Sequence, residues 1–251
     1  MKLNILIPCA GEGQRFKELS NEEPNYLSPK PFILTQHLLM IEWVIENMLS
    51  EVHDINFSFI FRDDQLKSYD IDAVIKAIVP KGCEYQLVNV NGMTDGAART
   101  IYMARNRIDL DLPLVIANSD QYISKFDIDR FIGWASKDDC SILTFKSNDS
   151  KWSFIDPKDE VHVHRVVEKE PISDIANTGI FYYRAGKDAM WAIKEMIDKE
   201  IKFRNEYYLA PSINELVQDN ADVTYKMIEE YQTMWGLGTP HDHKYFEKNY
   251  R

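Results

Sequence analysis

Arg15 and Lys30 follow a glycine turn that itself follows an apolar run, a combination suited to holding a polyphosphate. The stretch reads Leu3-Asn4-Ile5-Leu6-Ile7-Pro8-Cys9-Ala10-Gly11-Glu12-Gly13-Gln14-Arg15-Phe16, with Pro29-Lys30-Pro31 beyond it. Leu3 to Ile7 is apolar apart from Asn4, which predicts a strand covered on both faces, as in a parallel sheet. Pro8 has no N–H to give a ladder and marks the strand's end. Gly11 and Gly13 free the backbone to turn sharply and to present bare N–H groups to an anion. Arg15 adds a forked, permanent cation and Lys30 a second one. An ordinary strand-to-helix turn would use the same glycines. The spacing is not the dinucleotide fingerprint, because the third Gly is missing and Phe16 follows the Arg. It is not a Walker loop, because no Gly-Lys-Ser/Thr follows.

Other residues bear on the same chemistry. Leu112 to Ala117 is a second apolar run, followed by Asn118-Ser119-Asp120-Gln121. A carboxylate at the end of a parallel strand sits at the mouth of the sheet, where Asp120 can hold Mg²⁺ against phosphate oxygens. The same Asp also suits a turn or a helix cap. Asn91 to Thr100 is small, polar and Gly-containing, and opens a helix predicted from Ala97 to Arg105, with Thr94 or Asp95 as its cap. Glu168-Lys169-Glu170-Pro171 precedes Thr178-Gly179-Ile180-Phe181-Tyr182-Tyr183, and Asn205-Glu206-Tyr207-Tyr208-Leu209 comes later. Standing alone, a Glu-Lys pair is solvated surface.

Together these runs resemble the nucleotidyltransferases that make nucleotide sugars. The likeness is carried by Ala10-Gly11-x-Gly13-x-Arg15-Phe16 with Pro29-Lys30-Pro31, by Glu168-Lys169-x-Pro171 followed by Thr178-Gly179-Ile180-x-x-Tyr183, and by Glu206-Tyr207-Tyr208-Leu209. It implies a three-layer α/β/α, Rossmann-like nucleotidyltransferase fold with a mostly parallel mixed sheet, spanning 1–251 as one domain. It implies that Ala10, Gly11 and Gly13 hold the nucleotide, that Asn91 and Gly96 face its base, and that Arg15, Lys30 and Lys169 do the catalytic work. Glu168 and Glu206 would accept hydrogen bonds from the acceptor, Lys169 would contact its phosphate, and Gly179 would let it approach the backbone. Asp120 would carry Mg²⁺. The implied partners are an NTP, with a pyrimidine slightly favoured, and a small phosphorylated metabolite, with a sugar 1-phosphate favoured. A homo-oligomer is compatible with this.

One position departs from the family. Many members have an Asp two residues before the final Gly-Thr, where it shares the metal; here Gly236 stands there. Asp242 is the candidate substitute, although Thr239-Pro240-His241-Asp242 also reads as a helix start with Asp242 in a capping role. Three rivals stay open. One is a cytidylyltransferase for a non-sugar phosphate, phosphocholine-like with a cage from Tyr182, Tyr183, Tyr207 and Tyr208, or a phosphoamide. The others are a metal-dependent glycosyltransferase and a non-catalytic nucleotide-sugar sensor.

The elements expected to position these residues alternate between strand and helix. Strands are predicted at Ile55–Phe61, Tyr85–Val90, Ser141–Lys146, Trp152–Ile155, Val161–Val167, Val223–Ile228 and Thr233–Leu237. Helices are predicted at 37–50, Ile71–Ile78, Asp127–Ala135, Asp188–Lys199 and 211–218, with a mobile loop at 17–29 that folds over the nucleotide. His162 and His164 alternate with Val161 and Val163 and read as exposed strand histidines before they read as metal ligands. The chain has 251 residues, 45% hydrophobic and 27% charged, which suits one α/β domain with a proper core. Its net charge of −11 opposes nonspecific binding to nucleic acid or an anionic membrane. No apolar run approaches membrane-span length. The first strand starts at once, so no leader is expected, and neither is a hexapeptide-repeat arm. Cys9, Cys83 and Cys140 are far apart and odd in number, which points to reduced thiols in the cytoplasm.

Overall fold

The computed structural model describes residues 2–251. Its strands are β1 (Lys2–Pro8), β2 (Leu34–Thr35), β3 (Leu38–Leu39), β4 (Asp54–Arg62), β5 (Glu84–Val90), β6 (Leu114–Ala117), β7 (Gln121–Ile123), β8 (Cys140–Lys146), β9 (Ser153–Pro157), β10 (Val163–Glu168), β11 (Ile175–Tyr183), β12 (Val223–Met227) and β13 (Met234–Gly236). Its helices are α1 (Gln14–Lys17), α2 (Met40–Asn47), α3 (Asp63–Ser68), α4 (Ile71–Ile78), α5 (Ala97–Met103), α6 (Ile128–Ala135), α7 (Gly186–Asp198), α8 (Ile213–Gln218) and α9 (Pro240–Asn249).

β1 lies at the heart of the main sheet. Leu3, Ile5, Leu6 and Ile7 are wholly buried, as a run without a polar face requires. Asn4 is tolerated there because its amide donates to the Asp109 carbonyl at 2.8 Å and accepts from Asn56. β1 pairs in parallel with β4 and β6, and β4 with β5. β11 runs antiparallel to β6 on one side and to β8 on the other, and β8 pairs in parallel with β12. The row is therefore β12-β8-β11-β6-β1-β4-β5, with the β9–β10 hairpin joined at the start of β11. The shared direction of β1, β4, β5 and β6 brings the loops after them to one edge.

Helices cover both faces. Ala98, Ile101 and Ala104 of the α5 segment, Met190, Ile193 and Met196 of α7, and Ile213 and Leu216 of α8 fill one core. Ile41, Val44 and Ile45 of α2, Ile71 and Ile75 of α4, and Phe131 and Ile132 of α6 fill the other. This is the expected α/β/α fold with a mostly parallel mixed sheet. A third cluster, including Phe16, Tyr26, Trp43, Tyr122 and Phe246, packs α9 and the 17–29 segment against the side of α2.

Several elements differ from expectation for local reasons. The 17–29 segment carries a 3-10 turn, Pro24–Leu27, anchored by buried Tyr26, whose hydroxyl bonds His243 Nδ1 at 3.2 Å. α2 begins only at Met40, because Leu38 and Leu39 pair back onto Thr35 and Leu34. Thr94 and Asp95 do not cap α5; Gly96 holds the cap position without a side-chain bond, and the Thr94 hydroxyl bonds Thr100 instead. His162 lies outside β10, between the carboxylates of Asp159 and Asp222, and His164 is exposed. Among the described residues no group of three or more His, Cys, Asp and Glu is placed to hold a metal, and no helix is long and apolar enough to cross a membrane.

Gly96 shows how tightly the site's supports are packed. The Tyr207 amide donates to Asp95 O at 2.7 Å, and the Ala98 amide donates to Tyr207 O at 3.0 Å. Between those bonds, a Cβ on Gly96 would stand 2.5 Å from Tyr207 N, at a φ of +124°. Close backbone packing thus accounts for this glycine without a nucleobase. Gly96→Ala is expected to destabilise by about 1–3 kcal/mol, lowering Tm by roughly 3–10 °C for a chain of this length. An unchanged melting curve in calorimetry would contradict the contact.

Candidate active site

The glycine turn after β1 leads into α1 through Gly13, whose φ of +66° is left-handed. The Gly13 carbonyl accepts from the Phe16 and Lys17 amides at 2.9 and 3.1 Å. Buried Phe16 then packs edge-on against Tyr26, with centroids 4.9 Å apart, and this leaves Arg15 exposed on the other side of the short helix. Behind the turn, a Cβ on Gly13 would lie 3.0 Å from Lys30 Cβ. Lys30 opens a one-turn 3-10 helix with Pro31 at its start. The expected phosphate loop and both early cations are therefore neighbours.

Two carbonyls of the loop are held from the side. Arg62, at the end of β4, donates from Nη1 to Ala10 O at 2.7 Å. Gln65 Nε2 reaches Cys9 O at 3.4 Å. Cys9 itself is buried, and burial pushes its thiol far above the ordinary range, so it is no nucleophile at neutral pH.

Asp120 stands at the end of β6, as expected, and Lys30 Nζ donates to its Oδ2. The Asp120 carbonyl accepts from the Leu237 amide at 2.8 Å, continuing the β7–β13 pairing in which Gly236 faces Gln121. A Cβ on Gly238 would lie 2.5 Å from Asp120 Oδ2. Gly238 therefore makes room for the carboxylate.

Glu168 ends β10 and Lys169 follows it. Glu168 is buried at 7% exposure, and Ser153 Oγ donates to its Oε2. Burial raises its pKa, and the Ser153 bond and Lys169 oppose that rise. Lys169 sits at φ +55°, uncommon for a side-chain-bearing residue. Its amide donates to Trp152 O at 3.0 Å, and its ammonium lies 4.0 Å from the Tyr208 ring centre and 3.9 Å from Glu168 Oε1. Burial lowers the pKa of Lys169; Glu168 and Glu206 counter this, while Arg15 and Arg204 add to it. Glu206 is exposed and acts on both Lys169 and Tyr208.

Gly179 lies mid-strand in β11, at φ +85°, where the pairing with β8 shifts register. A Cβ there would be 2.5 Å from Asn118 Nδ2 and would overlap Gln121 Oε1. Two amide side chains thus cover Gly179, where an acceptor ring was expected. Gln121 Oε1 is buried without a partner. Asn91 is exposed at the loop after β5. Of the proposed tyrosine cage, Tyr182, Tyr183 and Tyr207 are all buried in the core, which leaves Tyr208, beside Lys169.

The metal residues divide in the same way. One carboxylate, Asp120, with phosphate oxygens and water is a donor set that fits Mg²⁺. Asp242 has other partners. Its Oδ1 accepts from Lys151 at 2.7 Å and its Oδ2 from the Thr239 hydroxyl at 2.8 Å, while its amide donates back to Thr239 Oγ1 at 3.1 Å. Thr239 is the N-cap of α9, as its sequence predicts. Where the family's second Asp would project, Trp152 fills the space, 3.1 Å from a Cβ on Gly236. Arg62, Gln65, Asn118, Gln121, Ser153 and Trp152 were not anticipated from sequence. The one available signal was the polar burst Arg62-Asp63-Asp64-Gln65 ending an apolar strand.

No protein-family model and no curated protein matches the chain. Solved structures do. A nucleoside-diphosphate-sugar pyrophosphorylase from Vibrio cholerae RC9 superposes with a TM-score of 0.81 at 22% identity, over 98% of this chain and 100% of that one. A UDP-glucose pyrophosphorylase complexed with UDP-glucose gives 0.79 at 16% identity, over 100% and 98%. The inositol-1-phosphate CTP transferase from T. maritima gives 0.71 at 12% identity, over 95% and 90%. The fold is that of these nucleotidyltransferases.

Glu168 offers a test by pH. A carboxyl whose folded pKa stands above its unfolded value favours folding on the acid side, and this contribution is lost as pH rises through the folded value. Ionised Glu168 is then a stability cost at neutral pH. Glu168→Gln is expected to shift Tm upward, relative to wild type, more at pH 7 than at pH 5. A relative shift in the other direction would mean that Ser153 and Lys169 stabilise the carboxylate by more than burial costs it.

Proposed function

We propose that the protein is a nucleotidyltransferase that joins an NTP to a small phosphate monoester and releases pyrophosphate. The observation that carries this reading is the contact between Lys30 and Asp120 beside the glycine loop. The reading sets Arg15 and Lys30 at the leaving group and Lys169 at the attacking phosphate. The fold it shares with pyrophosphorylases and a CTP transferase supports the same class.

In this reading the acceptor's phosphate oxygen attacks the α-phosphorus. A new P–O bond forms to the acceptor, the α–β bridging P–O bond breaks, and its electron pair leaves on pyrophosphate. The attacking phosphate is already anionic, so no general base is needed, and catalysis comes from alignment and charge neutralisation. Ala10, Gly11 and Gly13 offer backbone donors to the triphosphate. Arg15 and Lys30 spread the charge that develops on the leaving group. Lys169 holds the attacking phosphate, with its ammonium positioned by Glu168 and Tyr208. Asp120 would hold Mg²⁺, which supplies charge neutralisation between phosphate oxygens when bound. Glu168 and Glu206, acceptor-only when ionised, suit a hydroxyl-bearing acceptor, which favours a sugar 1-phosphate. The place of work is the cytoplasm, consistent with three free cysteines.

Incubation with Mg²⁺, each NTP and a panel of phosphate monoesters should release pyrophosphate for one pairing, with a pyrimidine NTP and a sugar 1-phosphate the expected pair. Release only with non-sugar phosphates would overturn the sugar assignment, and no release with any pair would sink the class. Arg15→Ala is expected to lower kcat/KM by about a hundredfold or more with Tm unchanged. Asp120→Asn is expected to abolish turnover, whereas Asp242→Asn should cost about 1 kcal/mol or less of stability and spare activity. Loss of activity at an unchanged Tm in Asp242→Asn would make it a metal ligand.

A further inference from the structure

We infer that Arg62 and Gln65 form a clamp on two successive carbonyls that aims the amides of the phosphate loop at the triphosphate. The inference rests on the nucleotidyltransferase reading and adds to it two positioning residues from a different strand and helix. Both side chains are buried, each at 6% exposure. Arg62 Nη1 donates to Ala10 O at 2.7 Å and Gln65 Nε2 to Cys9 O at 3.4 Å. Gln65 Oε1 accepts from the Arg62 amide at 2.8 Å. Asp64 holds the far side of the guanidinium, accepting from Nε and Nη2 at 2.8 and 2.9 Å. The fork is thereby fixed, and its remaining nitrogen is committed to the loop.

The consequence follows from peptide geometry. Among the described residues no peptide bond is cis. Across a trans peptide, the C=O and the next N–H point in opposite directions. With Cys9 O turned toward Gln65, the Ala10 amide faces away from α3. With Ala10 O turned toward Arg62, the Gly11 amide faces away as well. Among the described residues neither amide donates to another backbone group. Successive free N–H groups beside a left-handed residue, here Gly13, form a concavity for an anion. A buried cation on the Ala10 carbonyl also polarises that peptide, which makes the Gly11 N–H a better donor. A role confined to tying β4 to β1 would leave phosphate affinity alone, and this separates the two accounts.

The test is calorimetric titration, with Mg²⁺ present, of ATP, CTP, GTP, UTP and inorganic tripolyphosphate into the wild type and three variants. Wild type should bind tripolyphosphate and at least one NTP. Arg62→Lys keeps a charge but cannot hold Asp64 and Ala10 O together. It should weaken tripolyphosphate and the NTP by the same factor, about tenfold or more, as for loss of a charged hydrogen bond. Gln65→Leu should weaken both by a smaller common factor. Asp64→Ala removes only an exposed carboxylate and frees the fork; it should show the same pattern and serves if Arg62→Lys does not fold. A folded variant that binds tripolyphosphate as tightly as wild type overturns the clamp. So does a loss confined to one NTP, which would place Arg62 at the base. A wild type that binds neither probe removes the nucleotide reading itself, and the clamp with it.

Discussion

The ion pair between Lys30 and Asp120 is the contact on which the rest of the site depends. It joins segments 90 residues apart, and a third segment closes over it at Leu237 and Gly238. Both partners keep about a fifth of their side-chain surface in water, so neither charge bears the full desolvation cost of deep burial. The pair also sets what can stand nearby. Gly13 must lack a Cβ because Lys30 passes behind it, and Gly238 must lack one because Asp120 lies against it. A cation and a carboxylate already ordered beside bare backbone amides lose little freedom when a polyphosphate arrives, and that is the physical basis of preorganisation.

The departure at Gly236 is coherent with its surroundings. A second carboxylate there would meet the Trp152 ring. Asp242, the nearest substitute, is neutralised by Lys151 and tied to the cap of α9. Gly236 thus stands beside an indole and a capped helix, with Asp242 paired to Lys151 and Asp120 to Lys30. The acceptor side is arranged differently. Glu168 and Lys169 adjoin in sequence but differ in environment, one buried against Ser153 and the other turned by its left-handed backbone onto Tyr208.

Much of this was legible along the chain. The apolar run of β1, its proline stop, the glycine turn and the Arg-Lys spacing describe local geometry, and local geometry is written in adjacent residues. The carboxylate that follows β6, Asp120, and the cap of α9 at Thr239 were readable for the same reason. Element ends were less so. α2 starts at Met40 because Leu38 and Leu39 are drawn into a hairpin, and the 17–29 segment is ordered by Tyr26 reaching His243, far along the chain.

By itself, then, the sequence determined the fold class, the direction of the central strands and the edge at which their loops gather, since hydrophobic period and turn residues act over a few positions. The tertiary structure decided which side chains meet there. It buried Tyr182, Tyr183 and Tyr207 and left Tyr208 at the site. It spent Asp242 on Lys151, covered Gly179 with Asn118 and Gln121, and set Arg62 and Gln65 on the carbonyls of the loop. These outcomes turn on register, on the hand of one backbone angle and on which distant charge lies nearest. Such quantities are fixed by packing between segments, and no short stretch of residues encodes them.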